Sequence, residues 1–293
     1  MKPAPFDYHR ATSLVEACGL LAEGDDEAER KVIAGGQTLT PLMAMRLAQP
    51  ALLIDINRLE DLAGINEVDG VLTIGAMTRQ RAAERSSLVG ERLPLLAKAL
   101  FHVGHVQTRN RGTVGGSIAH GDPSAEIPLV AVVAGARLRL AAAGGSREVA
   151  GEAFFQGPMT TAIEADEILT AVDFPLPAAG DRLGAAFHEV ALRHGDFALV
   201  SAAAQVALDS DGRCLEARVG VGGCAMTPLR LGDVEAVLQG TALETADISA
   251  AIETVADAID PEDWPGASAE YRRRVAPELV RRAVVEAGRE AAA

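Results

Sequence analysis

The chain has 293 residues, of which 48% are hydrophobic and 3% aromatic, and it carries a formal net charge of −14 at pH 7. This length allows two compact domains, whereas the acidic charge disfavours binding to nucleic acid or to anionic membranes. The N-terminus lacks an apolar signal core, and the three cysteines (Cys18, Cys214 and Cys224) form no CxxC pair, so we expect a cytoplasmic globular protein without an iron–sulfur cluster of its own.

The N-terminal segment has the pattern of a β-α-β unit. Residues 13–16 have capping-box spacing and predict the start of a helix. Residues 31–33 are predicted to form a short strand, and residues 38–48 a helix with a proline in its first turn. The apolar residues 51–56 then predict a buried strand.

Strands and helices alternate irregularly in the rest of the chain. Strands are predicted at residues 71–76, 137–140, 167–172, 187–190, 198–208 and 216–221. Helices are predicted at residues 93–103, 121–134 and 268–287. Residues 175–180 are the clearest linker signal. Because strands and helices mix without strict alternation, the sequence predicts an α+β fold.

Two glycine pairs lie beside short hydroxyl residues. We call residues 34–38 (Ala-Gly-Gly-Gln-Thr) the first glycine segment and residues 113–117 (Thr-Val-Gly-Gly-Ser) the second glycine segment. Glycine allows main-chain N–H groups to turn toward an anion and approach it closely. Each segment alone is typical of a plain turn. The first, however, joins a predicted strand to a helix, and the second lies among the polar residues 108–123, so together they predict a grip on a diphosphate.

In these segments the chain resembles the flavin-binding medium subunit of molybdenum hydroxylases, a family that includes relatives of carbon monoxide dehydrogenase and xanthine dehydrogenase. Residues 34–56 resemble the first FAD segment of that family, and residues 109–128 resemble the second. Supporting similarities lie at residues 74–78, 193–198 and 271–274.

The resemblance implies a two-part fold of the α+β class. The first part would be an FAD-binding domain of the vanillyl-alcohol-oxidase type at residues 1–176, with subdomains of about 1–57 and 58–176. The second would be a smaller α+β flavoprotein domain at residues 181–293.

The resemblance also implies which residues contact FAD. Those implied at the diphosphate are Ala34, Gly35, Gly36, Gln37, Thr38, Thr113, Gly115, Gly116 and Ser117, and Leu39 is implied as a further FAD-binding residue. His120, Asp122 and Glu126 are implied to contact the ribityl and ribose hydroxyls. Phe197 is implied to face the isoalloxazine ring, and Leu169 to line the ring pocket through its backbone. No residue is expected to act as a catalytic acid or base, and no metal site is expected on this chain.

Several of these positions have structural alternatives. Asp122 precedes a proline and would serve equally well as a helix N-cap. On pattern alone, Phe197 fits a hydrophobic core as well as a flavin contact. Arg109 and Arg111 could offset phosphate charge or face an acidic partner, and residues 272–274 are expected to be solvated arginines.

Two further patterns favour structural roles. His102 and His105, three apart on a predicted helix, could be metal ligands but lack a partner with convincing spacing, which favours core or interface positions. Residues 220–225 fit a GxGxxA nucleotide-binding pattern. The proline at position 228 opposes a helix there, which favours a tight turn.

The resemblance implies that the protein is an oxidoreductase subunit that transfers electrons. Its FAD would collect electrons from [2Fe-2S] clusters on a small partner subunit, which receives them from a molybdenum cofactor in a large subunit. An external acceptor (NAD, a quinone or oxygen) would then oxidise the flavin, within a dimer of heterotrimers. Two alternatives stay open: a free-standing FAD-dependent oxidase or reductase of the vanillyl-alcohol-oxidase-like group, and a scaffold that has lost FAD.

Overall fold

A parallel three-stranded sheet forms the N-terminal part of the protein in the computed structural model, which describes residues 2–24, 29–177, 182–264 and 266–293. The sheet has the order β1-β3-β2. Its strands and connecting helices are β1 (Asp7–Arg10), α1 (Leu14–Ala22), β2 (Arg30–Ile33), α2 (Leu39–Ala44) and β3 (Leu52–Asp55). Both outer strands pair in parallel with β3, so the predicted β-α-β unit is confirmed.

Local signals account for the ends of these helices. The Ser13 hydroxyl accepts a hydrogen bond from the Glu16 N–H at 3.1 Å, which caps α1 as predicted. Helix α2 is shorter than predicted, since Arg46 adopts φ +60°, a left-handed conformation that ends a helix. Strand β1 was not predicted, because its residues are polar and mostly exposed and carry no apolar pattern.

An antiparallel five-stranded sheet with the order β4-β5-β10-β6-β7 forms the second part. The strands of this region are β4 (Ile65–Val68), β5 (Val71–Gly75), β6 (Arg137–Ala142), β7 (Gly145–Ala150), β8 (Phe155–Gly157), β9 (Thr160–Thr161) and β10 (Ile168–Pro175). Its helices are α3 (Gln80–Arg85), α4 (Ser87–Arg92), α5 (Pro94–His102), α6 (Val106–Arg111), α7 (Val114–His120), α8 (Glu126–Val133) and α9 (Gly151–Phe154), and Glu60–Leu62 form a 3-10 turn. Every residue of α8 is buried, so this helix runs through the core.

The C-terminal part is a four-stranded antiparallel sheet covered by one long helix. Its sheet order is β11-β12-β13-β14, with β11 (Arg182–Val190), β12 (Val200–Leu208), β13 (Cys214–Gly222) and β14 (Leu229–Arg230). The helices are α10 (Gly232–Leu238), α11 (Thr245–Glu253), α12 (Val255–Ala258) and α13 (Ala269–Ala292). Helix α13 packs across β11 and β12, while α5 and α8 also contact this sheet. Strand β12 is therefore buried along its whole length.

Each of the three parts has its own cluster of buried apolar side chains, and the α+β prediction is confirmed. The middle cluster also includes Ala185, Phe187 and Ala203 from β11 and β12, so the second and third parts share core. Residues 178–180 of the predicted linker lie outside the described residues. None of the helices in the described residues combines the length and apolar character needed to cross a bilayer.

The structure corrects two local predictions and confirms a third. The helix expected from residue 121 begins at Glu126, and its N-cap is Ala125, so the N-cap alternative for Asp122 was wrong. The Asp122 carboxylate instead accepts a hydrogen bond from the Ser124 N–H at 2.8 Å within a turn. The GxGxxA pattern forms a tight turn after β13, as predicted, with Gly223 at φ +73°.

Candidate functional site

The first glycine segment connects β2 to α2 and presents a row of unoccupied N–H groups. Gly36 has φ +72°, which reverses the chain direction immediately before the helix. The first helical hydrogen bonds run from Thr40 N to Gly36 O and from Leu42 N to Thr38 O, each at 3.1 Å. Within the described part of the chain, the backbone N–H groups of residues 35–39 donate to no protein acceptor. A run of free main-chain donors is what an anion site built from backbone N–H groups requires.

The two glycine segments meet in space. A Cβ atom built on Gly35 would overlap the carbonyl oxygen of Arg111 and lie 2.8 Å from the Cα atom of Gly112, the two residues that lead into the second glycine segment. A Cβ atom built on Gly116 would lie 3.9 Å from the Cβ atom of Ala34. The structure therefore brings together two stretches that are far apart in the sequence.

The second glycine segment is the start of a helix, which the sequence did not predict. The Thr113 hydroxyl caps α7 by accepting a hydrogen bond from Gly116 N at 3.0 Å. Val114 N donates to Thr78 O at 3.0 Å, and Gly115 N donates to Ala76 O at 2.9 Å. These N–H groups are thus already occupied by the protein.

Gly115 and Gly116 consequently have different environments. Gly115 is buried, and a Cβ atom there would overlap the side chain of Ala76, so its small size allows α7 to pack closely against the end of β5. Gly116 and Ser117 are half-buried on the part of α7 that lies near Ala34. Of the second segment, only these two residues are accessible, because Thr113 is 2% exposed and its hydroxyl caps α7.

The polar residues after α7 lie at the turn that leads into α8. Gly121 has φ +67° and ends α7, which leaves His120 as its last residue. Burial lowers the pKa of His120, and the nearby Asp122 carboxylate partly opposes this effect. His120 is therefore held toward its neutral form, in which one ring nitrogen donates and the other accepts a hydrogen bond.

Glu126 is a buried carboxyl group in the first turn of α8, only 4% exposed. Burial raises the pKa of Glu126 to about 8, and the negative charges of Glu189 and Asp122 add to this effect. The positive charge of Arg109 acts in the opposite direction. At neutral pH the side chain is thus predominantly a neutral carboxylic acid, which can donate a hydrogen bond to a hydroxyl group.

This raised pKa predicts a pH-dependent stability. The folded protein binds the proton of Glu126 more tightly than the unfolded chain does, so the stabilisation is complete below about pH 4.5 and is lost as the pH rises toward 8. In the apoprotein, Glu126→Gln should gain stability relative to wild type by up to about 1.4 kcal/mol per pH unit between pH 5 and 8. Urea unfolding across this range measures the difference, with Glu91→Gln at an exposed site as the control. A difference that does not change with pH would contradict the prediction.

Leu169 and Phe197 differ sharply in exposure. Leu169 is 5% exposed on β10, beside a β-bulge between Leu169 and Ala171. Phe197 is 57% exposed on the loop between β11 and β12, so the core alternative for this side chain was wrong. The same loop contacts the start of α6, where a Cβ atom on Gly195 would lie 2.9 Å from the His105 ring.

Arg109 has a structural role. This differs from both predicted roles, which were to offset phosphate charge and to face an acidic partner. Its guanidinium forms a bidentate ion pair with Glu84, with Nε to Oε2 at 2.8 Å and Nη2 to Oε1 at 3.2 Å. It also donates to the carbonyl oxygens of Val103 and Gly104. Arg111, in contrast, has an exposed side chain.

The two histidines considered as metal ligands do not share a helix. His102 ends α5, and its Nδ1 atom lies 3.2 Å from the Glu189 carboxylate, while His105 precedes α6. In the described residues, no group of three or more His, Cys, Asp or Glu side chains is arranged to hold a metal ion.

Sequence reasoning missed two polar residues at the junction of the glycine segments, Asn57 and Arg79. Asn57 follows β3 and donates to Ala34 O, and Arg79 precedes α3 and donates to Arg111 O. Each side chain thus bonds a carbonyl group that is distant in the sequence. No local sequence pattern reports such contacts.

Comparisons with known proteins identify the family. The family described as FAD binding domain in molybdopterin dehydrogenase matches residues 4–177, and the CO dehydrogenase flavoprotein C-terminal domain matches residues 185–287. The chain is 39% identical to the 6-hydroxypseudooxynicotine dehydrogenase complex subunit alpha of Paenarthrobacter nicotinovorans, over 98% of this chain and 96% of that protein. It is 38% identical to the carbon monoxide dehydrogenase medium chain of Afipia carboxidovorans, over 98% of each chain.

A solved structure shows the same fold. Carbon monoxide dehydrogenase from Hydrogenophaga pseudoflava contains a chain that superposes with a TM-score of 0.94 at 36% identity, covering 99% of each chain. The similarity spans all three parts of the fold, and the matching relatives are subunits of dehydrogenases. The resemblance seen in the sequence is therefore confirmed: the chain belongs to the FAD-binding medium subunits of the molybdenum hydroxylase family of oxidoreductases.

Proposed function

We propose that this chain is the electron-transfer flavoprotein subunit of a three-subunit molybdenum hydroxylase. Its FAD would accept electrons from [2Fe-2S] clusters on a small subunit and deliver them to an external acceptor, after a large molybdenum-containing subunit has oxidised the substrate. The observation that carries the proposal is the junction of the two glycine segments, where the N–H groups of residues 35–39 have no acceptor among the residues that the structure describes.

The residues at this junction fit the diphosphate of FAD. Main-chain N–H groups can neutralise phosphate oxygens without a metal ion. The half-buried Gly116 and the Ser117 hydroxyl complete the site from the side of α7. We place His120, Asp122 and the neutral Glu126 at the ribityl and ribose hydroxyls, because these side chains supply both donors and acceptors.

The protein's part in the chemistry is to hold the cofactor rather than to transfer protons. When bound, FAD supplies the ability to accept electrons singly and to release them in pairs. We propose that Phe197 lies against the isoalloxazine ring. Its side chain is 57% exposed and is therefore accessible to a ligand. The Leu169 backbone would line the same ring pocket, beside the bulge that interrupts the β10–β6 pairing.

The clusters and the molybdenum cofactor would reside on partner subunits. A [2Fe-2S] cluster needs about four ligands, usually cysteine thiolates, and this chain has only three cysteines, all of them buried and separate. The free thiols suit a reducing compartment, which supports a cytoplasmic location.

We further propose a dimer of heterotrimers, with the domain division at residues 1–176 and 181–293. The matching family ranges, which end at 177 and begin at 185, support that division.

Rapid mixing of the complex isolated with its partner subunits tests the proposal. The clusters would be reduced anaerobically with dithionite and then mixed with NAD, a quinone or oxygen, while the electron paramagnetic resonance of the clusters is followed. We expect fast cluster oxidation by one of these acceptors in the FAD-containing complex and much slower oxidation after the flavin has been removed. A chain that isolates alone and oxidises an organic substrate directly would support a free-standing oxidase, and a chain that binds no flavin would support a scaffold.

A further inference from the structure

A continuous hydrogen-bond network connects the first glycine segment to the start of the second. It begins at Asn57, two residues beyond the end of β3. The Asn57 Nδ2 group donates to Ala34 O at 2.7 Å and to the Asp55 carboxylate at 2.6 Å. Ala34 belongs to the first glycine segment, so the amide of Asn57 anchors this segment to β3.

Asp55 fixes the orientation of Asn57. The Asp55 carboxylate is 5% exposed and accepts hydrogen bonds from the Asn57 backbone N–H at 2.8 Å, from the Tyr8 hydroxyl and from Arg10 at 3.1 Å. Burial acts to raise the pKa of Asp55, but the bonds from Tyr8, Asn57 and Arg10 outweigh it and hold the pKa at about 2. The carboxylate therefore stays ionised and remains an acceptor throughout the physiological pH range.

Arg79 extends the network to the second glycine segment. Its Nη2 group donates to the Asn57 side-chain oxygen at 2.8 Å, and its Nη1 group donates to Arg111 O at 2.5 Å. The backbone of Arg79 forms an isolated β-bridge with Thr113, and the N–H of the next residue, Gln80, donates to Gly112 O at 2.9 Å. One guanidinium group thus bonds Asn57 on one side and the entry to α7 on the other.

Anchoring the Ala34 carbonyl group also orients the first of the free N–H donors. A trans peptide is planar, and its C=O and N–H groups point in opposite directions. Because Ala34 O is held toward Asn57, the N–H of Gly35 in the same peptide plane points away from Asn57. Gly35 carries the first of the free donors at residues 35–39.

We propose that Asn57 and Arg79 are positioning residues that set the spacing and orientation of the two glycine segments for the FAD diphosphate, without contacting FAD themselves. The inference rests on the proposed FAD site. It adds the residues that keep the two glycine segments of this site in position. An Arg79 that instead acts as a direct counter-ion to the phosphates is the competing role. The two roles differ in what a lysine at this position can do, since lysine keeps the charge but lacks the planar fork that bonds two acceptors at once.

Titration of the apoprotein with FAD, followed by flavin fluorescence, tests the inference. We expect Asn57→Ala and Arg79→Ala each to weaken FAD binding by about tenfold or more, and Arg79→Lys to restore little of the loss. The double variant should be less than additive, because both changes break the same bridge. Arg58→Ala removes an exposed charge beside Asn57 and serves as the matched control, which should bind FAD as wild type does.

Riboflavin, which lacks the diphosphate, separates positioning from general damage. A positioning role lowers the affinity for FAD but leaves the affinity for riboflavin unchanged, whereas loss of structure lowers both. Thermal melting of each apoprotein checks the fold, and Asn57→Ala carries the test if the Arg79 variants do not fold. Wild-type affinity in Arg79→Lys, or equal losses for FAD and riboflavin, would overturn the inference while leaving the proposed function intact. Failure of the wild-type chain itself to bind FAD would instead overturn the proposed function.

Discussion

Gly35→Ala is expected to lose FAD binding, with an affinity at least about 100-fold below that of the wild-type chain, equivalent to about 3 kcal/mol. The added methyl group would overlap the Arg111 carbonyl oxygen and lie 2.8 Å from Gly112 Cα. Both atoms belong to the backbone and cannot rotate aside as the end of a side chain can. The substitution therefore has to move the two glycine segments apart, which separates the two halves of the diphosphate site.

Gly19→Ala is the matched control for this prediction. Gly19 lies in α1 of the same N-terminal part, and a Cβ atom built there meets nothing within 4 Å. Alanine in a helix is favoured over glycine, so this variant should bind FAD normally and melt at or slightly above the wild-type temperature. Fluorescence titration of both apoproteins with FAD makes the comparison. Wild-type affinity in Gly35→Ala would show that the segments need not be in contact.

Arg272→Met is expected to cause the largest loss of stability, about 3 kcal/mol in the free energy of unfolding. Arg272 was predicted to be solvated, but it is 2% exposed at the start of α13. Its guanidinium donates to Leu199 O and, at 2.7 Å, to Gly223 O. Methionine would fill much of the space but leave both carbonyl groups without these donors. Leu199 lies two residues after Phe197, so the loop proposed to face the flavin ring should loosen as well.

The adjacent Arg273 provides the control. Its side chain is exposed and pairs at 3.1 Å with Asp260, which is even more exposed. Exposed ion pairs of this kind contribute little, so Arg273→Met should change the free energy of unfolding by less than about 0.5 kcal/mol. Urea unfolding monitored by circular dichroism measures both variants. Equal losses in the two proteins would contradict the buried role of Arg272.

Elements governed by neighbouring residues were predictable from the sequence. The Ser13 cap of α1 and the strand that enters the first glycine segment follow from local pattern, as does the alternation of exposed and buried residues in β6. Helix α7 was missed, since two glycines at its start disfavour a helix in isolation. It forms because Ala76 O and Thr78 O accept from its first N–H groups and because Gly115 fits against Ala76.

The glycine segments of the candidate site were predictable from their composition and from the family resemblance. Residues 34–38 and 113–117 could be paired from the sequence, and the structure places them together. The residues that hold them in place could not be predicted, because Asn57 and Arg79 bond to backbone carbonyl groups, whose position carries no sequence signal. The structural role of Arg109 could not be predicted for a similar reason. Its partners Glu84 and Val103 O are brought together only by packing of the surrounding helices.

A crystal structure of the chain with FAD bound tests the central claim most directly. The account predicts one FAD per chain, with phosphate oxygens within hydrogen-bond distance of the N–H groups of residues 35–39 and with Gly116 and Ser117 lining the opposite side. A diphosphate bound elsewhere, or held by one glycine segment while the other faces away, would contradict it.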